Sequence, residues 1–158
     1  MNDTSPRGLL FDESDLARIR ANLELPRFSY LRKEIYSADL AADEKFLRDE
    51  LQITDHLADM ARARKIVEHS SLAFALTRDA AQLAVARLAL KRLTEYERWD
   101  YFFEAGDQPL GFQRAPEATI AACLAMDWLG DALPEDERSS IEESIVTKGA
   151  PACFNSLY

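Results

Sequence analysis

Few side chains in this 158-residue sequence are of types that do chemistry, and their spacing limits what they can do together. His56 and His69 are its two histidines, thirteen residues apart on one predicted helix. At about 100° per residue they point to well-separated sides, so they do not form one metal or proton-transfer pair. His69 shares a face with Leu72 and Leu76 and reads as a core or helix-contact histidine. A general base needs a partner to orient it, and nothing nearby supplies one. Asp127 is the single acid in an otherwise apolar run, ATIAACLAMDWL, whose only other polar member is Thr119. Burying a carboxylate is costly unless it is paired, so Asp127 is expected to accept from a neighbouring helix N-terminus or to pair with an Arg. Cys123 and Cys153 read as two reduced thiols. No metal-ligand spacing, phosphate loop, dinucleotide-binding glycine pattern or nucleophile elbow is present, so neither metal nor cofactor is expected.

Gln113 and Arg114 are of a different kind. They stand at the entrance of that apolar run, just after a stretch rich in aromatics. Arg offers a planar fork to a carboxylate or sulfate, and Gln hydrogen-bonds hydroxyls. Trp99 and Tyr101 carry flat apolar bodies with polar tips, suited to sugar rings. Each also has an ordinary structural role open to it: Arg114 can pair with Glu117 three residues on, and the aromatics can pin their loop. The basic cluster Arg62, Arg64 and Lys65 alternates with acids and reads as a solvated helix face.

The elements that position these residues are helical. Apolar spacing of three and four recurs throughout, and alternating β-branched runs are missing. Asp12 or Ser14 caps a first helix carrying Leu16, Ile19 and Leu23, which Pro26 ends. A second helical region runs from about Arg27 to Ile53, with a break near Ala41–Asp43. Asp55 opens a third helix. Thr77-Arg78-Asp79 is a turn, and Asp79 caps a fourth. Residues 97–111 hold two Gly, a Pro and four aromatics and read as a long ordered loop. A fifth helix spans about Gln113 to Ala132. Pro134 starts a sixth, whose first turn holds Glu135, Asp136 and Glu137, and Gly149 ends it. The third and fifth helices are apolar nearly all round, while the fourth and sixth carry charge on one face. That alternation predicts buried inner helices wrapped by amphipathic outer ones, built from antiparallel helical hairpins. Stacked hairpins need a cap or a continuation, and none follows FNSLY, so the chain reads as the truncated part of a larger ring. Self-association or partner dependence is then expected.

Composition agrees with one all-α domain over residues 1–158: 47% of residues are hydrophobic and 30% charged. The formal net charge of -9 argues against a nucleic-acid binder. It also counts against a polyanionic ligand unless basic side chains gather in one cleft. The apolar run is too short for a membrane span, which needs roughly 20 residues. No secretory signal opens the sequence, which points to the cytoplasm, or to the periplasm if a leader has been removed.

Three stretches together resemble a family. LLFDESDLARIRANL, LAFALTRDAAQLAVARLALKRL and PLGFQRAPEATIAACLAMDWLGDALPEDERSSIEESI look like the N-terminal helical part of heparinase II/III-like polysaccharide lyases and their alginate and chondroitin lyase relatives. The matches cover most of residues 9–148 in order. One departure is Arg78, where relatives often place Gly. The resemblance implies part of an incomplete (α/α) toroid, completed by further helices and β domains of the same protein. It implies β-elimination of uronic-acid-containing polysaccharide, with Asn or Arg, His and Tyr as catalytic groups beyond the sixth helix. No catalytic residue is therefore expected in this chain; Asn155 and Tyr158 are of the right types but lack the family's motif. In such a toroid the mouth of an inner helix faces the sugar cleft, which makes Gln113, Arg114, Trp99 and Tyr101 the candidates for binding an acidic polysaccharide or oligosaccharide. The alternative from another class is a self-contained helical repeat that binds a protein partner without catalysis.

Overall fold

A computed structural model describes residues 8–105, 108–112 and 114–155, with the backbone alone for 101–112 and 155. Helix α1 (Glu13–Leu23) starts where Asp12 caps it: its carboxylate accepts from the Ser14 and Asp15 amides at 2.8 and 3.2 Å, and Asp15 returns the favour to the Asp12 amide. Pro26 opens a 3-10 turn leading into α2 (Ser29–Tyr36). The break in the second helical region falls at residues 37–39, earlier than the sequence suggests. Asp39 explains the shift, since its side chain accepts from the Ala42 amide at 3.1 Å and starts α3 (Leu40–Lys45) there. A π-helical turn, Phe46–Glu50, follows.

Asp55 does not begin the next helix but caps the turn ahead of it, accepting from the Leu57 and Ala58 amides at 2.8 and 2.9 Å. These amide donors hold its carboxyl below the usual carboxylate range. Helix α4 runs Asp59–Thr77 and α5 runs Ala80–Glu95. Only Arg78 and Asp79 separate them, so they pack as an antiparallel pair. Arg78 closes α4 in the left-handed region (φ 61°, ψ 23°), a conformation that disfavours any residue with a Cβ. Asp79 caps α5 as the sequence implies.

The expected loop after α5 is instead a small antiparallel hairpin, β1 (Tyr101–Ala105) and β2 (Gln108–Phe112), with Tyr101 opposite Phe112. The run Tyr101-Phe102-Phe103 favours extended backbone, and both strands are edges, where Pro109 is tolerated. Helix α6 is Arg114–Leu129, followed by a 3-10 turn, Gly130–Ala132. Helix α7 (Glu135–Ser144) has Pro134 as its capping residue, one position outside the expected first turn. Gly149 does not stop this last helix. The backbone continues through a π-helical turn, Ile145–Gly149, into α8 (Ala150–Asn155). Gly149 is required for packing instead: a Cβ there would overlap Thr119 Oγ1 and press on the Trp99 ring.

The hairpins stand side by side. Helices α4 and α6 are the buried pair; α6 packs against α4 and buries Ala115, Ala118, Ala121, Ala122 and Ala125 in the core, small side chains that let neighbouring backbones approach closely. The return strand of the second hairpin runs back along α6, from Arg138 near Gly130 to Gly149 against Thr119. Outside them, the Arg87 guanidinium ties α5 to α7 through both oxygens of Glu137, at 2.9 and 2.5 Å. Among the described residues the chain is thus all-α apart from one hairpin, and inner and outer helices alternate as expected.

The buried pair is also parallel. Near their N-terminal ends, Arg64 of α4 lies beside Glu117 of α6. At their C-terminal ends both meet α1 and the segment before it. Phe11 stacks on Trp128 of α6 at 5.9 Å and joins Leu16 and Leu23 around Leu76 of α4, while the Arg20 Nε donates to the Leu76 carbonyl at 2.6 Å.

Candidate functional site

At the C-terminal end of the pair, Asp127 is 5% exposed, and its carboxylate accepts from the Gly8 amide at 3.1 and 3.3 Å and from the Leu9 amide at 3.4 Å. Asp127 has the structural role expected of it, but its partner is neither a helix N-terminus nor an Arg: the donors belong to the segment ahead of the Asp12 cap of α1. Both oxygens of the acid are thus engaged by backbone amides.

The N-terminal end differs. Four charged side chains meet where the first turn of α6 lies beside the first half of α4. Arg64 Nη1 donates to both oxygens of Glu68, at 2.7 and 2.9 Å, an i to i+4 pair on α4. Arg114 Nη1 donates to Glu117 Oε2 at 2.8 Å, within the first turn of α6. Arg64 Nε lies 3.5 Å from that same Glu117 oxygen but is not aligned to donate to it; this buried N–H has no hydrogen-bond partner. Two guanidiniums therefore converge on one carboxylate oxygen, and the four formal charges cancel. The side chain of Arg64 is 17% exposed and that of Glu117 36%. The α6 N-terminus favours negative charge at Glu117.

The candidate residues from the sequence fare unequally. Arg114 takes the ion pair with Glu117 that its spacing allows and keeps about a quarter of its side chain exposed, at 27%. Trp99 is overturned as a sugar platform: it is 0% exposed, its indole N–H donates to the Leu93 carbonyl at 3.0 Å, and Gly149 lies against the ring. An indole at the end of α5 is worth more in the core than in water, and burial consumes both its faces. Gln113 and the side chain of Tyr101 lie outside the described residues, so only the backbone of Tyr101, in β1, is placed.

Arg64 is the residue that sequence reasoning missed. Grouped with Arg62 and Lys65 it reads as solvated, and the description fits those two, both exposed, but not Arg64. Arg62 lies over the Phe46 ring at 3.9 Å and Arg64 faces α6. The signal is in the spacing: Arg64 falls in phase with Met60, Val67 and Ser71, all buried. The histidines are also separated further than expected. His56 precedes α4 rather than lying on it, its ring nitrogens 3.1 and 3.2 Å from the Thr54 and Arg98 carbonyls and its ring edge-on to Tyr96. His69 is exposed, on the outward stripe of Arg62 and Lys65, and is not a core residue.

Further side chains tie the end of α5 to its neighbours. Lys148 Nζ caps the end of α5 by donating to the Thr94 and Tyr96 carbonyls, each at 2.7 Å. The Tyr96 hydroxyl donates to the Gln52 and Asp55 carbonyls, and burial pushes its pKa upward. Cys123 and Cys153 are free thiols, and burial pushes the Cys123 thiol upward. Among the described residues no three His, Cys, Asp or Glu side chains gather as a metal site, and no helix is long and apolar enough to cross a membrane. What the arrangement offers is a rigid pair of guanidiniums facing one carboxylate, a geometry for holding an anion rather than for moving a proton. Neither a family model nor a curated protein matches the chain.

Proposed function

We propose that this chain is the N-terminal helical wall of a saccharide cleft in a polysaccharide lyase of the heparinase II/III type, and that it holds substrate while groups elsewhere in the protein cleave it. One observation carries the reading: the two buried helices run parallel, and the guanidiniums Arg64 and Arg114, one from each, converge on Glu117. Parallel inner helices with antiparallel outer partners are the arrangement an (α/α) toroid requires. A uronate carboxylate is the ligand group that a guanidinium fork fits best. Against a chain of net charge -9, Arg64 and Arg114 are balanced here by Glu68 and Glu117, so the point offered to an acidic ligand is locally neutral.

Calorimetric titration of the chain with mannuronate and galacturonate trimers tests the proposal. Binding of a uronate trimer, weakened about tenfold or more by Arg114→Ala, is the expected result for loss of one charged contact. A neutral glucose trimer should not bind. Uronate binding that Arg114→Ala leaves unchanged would remove Arg114 from the cleft.

A helical module for a protein partner is the second reading. It draws on apolar side chains left in solvent around α1 and α2, Leu10 and Tyr30 both at 69% and Leu31 at 47%. Self-association by sedimentation together with silence in the uronate titration would favour it.

A further inference from the structure

The quartet has an internal asymmetry that bears on how a ligand enters. Glu68 accepts from Arg64 with both oxygens and lies one turn on along the same helix, so it fixes that guanidinium in place. Glu117 is held less well. One of its oxygens takes a single aligned bond, from Arg114, and stands beside the Arg64 Nε–H without satisfying it. It is the most exposed of the four side chains, at 36%. Should it swing outward, its charge stays in the first turn of α6, where the helix dipole still favours it.

We propose that Glu117 is a built-in stand-in for the ligand's carboxylate: it occupies the point where Arg64 and Arg114 converge, and a uronate carboxylate displaces it. The inference rests on the saccharide-cleft reading and gives that site its selectivity. An incoming carboxylate, free of the α6 backbone, can align with both the Arg64 Nε–H and the Arg114 fork. A hydroxyl cannot displace an ion-paired carboxylate, so neutral sugars are turned away. The empty mouth stays neutral and does not leave two guanidiniums uncompensated within a partly buried site.

The test compares two variants that change charge equally. Glu117→Gln removes the competitor and should bind a mannuronate or galacturonate trimer about tenfold tighter than the wild-type chain, with a glucose trimer still excluded. Glu68→Gln loosens the group that fixes Arg64 and should bind the uronate trimers no tighter than wild type. Thermal unfolding by circular dichroism establishes that both variants are folded. A Glu117→Gln chain that binds no tighter than wild type overturns the proposal, as does an equal gain in Glu68→Gln, which would reflect net charge alone. If the wild-type chain binds a uronate and Glu117→Gln gains nothing, the stand-in role falls and the cleft remains. If no variant binds any uronate, both fall.

Discussion

The two ends of the α4–α6 pair each carry a carboxylate from the same helix, and they are built in opposite ways. Asp127 is 5% exposed and its oxygens are taken by amides of Gly8 and Leu9. Glu117, three turns earlier, is a third exposed and faces two guanidiniums, one of them imperfectly aligned. A carboxylate bonded to backbone can be released only by moving the chain, because amides have fixed positions. A carboxylate bonded to side chains can exchange with another. The first end is therefore a clamp that closes the fold with its own N-terminal segment, and the second is the end to which the proposal assigns ligand binding. Burial, partner type and alignment together separate structure from function here; residue type alone does not.

Breaking that contrast should show graded effects. Trp99→Ala removes a wholly buried ring from beneath the open end and should cost about 3–5 kcal/mol of stability, read from the shift in denaturant midpoint. If Trp99 met ligand instead, stability would barely change and binding would suffer. Asp127→Ala should cost less, about 1–3 kcal/mol, because it strands the amides of Gly8 and Leu9 without their acceptor. Uronate affinity should stay as it is in that variant, since the clamp is remote from the mouth. Arg78→Gly, also at the clamped end, should change stability least and in the other direction. The left-handed backbone costs a residue with a Cβ roughly 1–2 kcal/mol. Glycine's extra freedom in the unfolded chain offsets about 0.4–1 of this, and the Arg78 contact over Phe74 is lost as well. A gain near 0.5 kcal/mol is expected, seen as a small rise in midpoint.

How much of this could be read from the residues depends on range. Caps announce themselves locally: Asp12 and Asp79 hydrogen-bond amides two or three residues away, and both starts were legible. Asp55 has the same chemistry but caps a turn ahead of α4, because a cap residue marks a turn without fixing how far the helix lies beyond it. Gly149 reads as a stop signal, yet it is dictated by Thr119 and the Trp99 ring, partners distant in sequence. The same holds at the site. Arg114 was visible from its place ahead of an apolar helix, while Arg64 was hidden in a charged run whose one inward-facing member only phase distinguishes. Trp99 was misjudged because an aromatic near a cleft entrance and an aromatic anchoring that entrance look alike until burial is known.

The measurement closest to the central claim follows the arginine Nε–H resonances of the chain during titration with a mannuronate trimer. Signals assigned through Arg64→Lys and Arg114→Lys are expected to move together and saturate at one ligand equivalent, with the Arg20 signal at the clamped end unmoved. Saturable binding that leaves both the Arg64 and Arg114 signals in place would contradict a uronate site at the mouth of the α4–α6 pair.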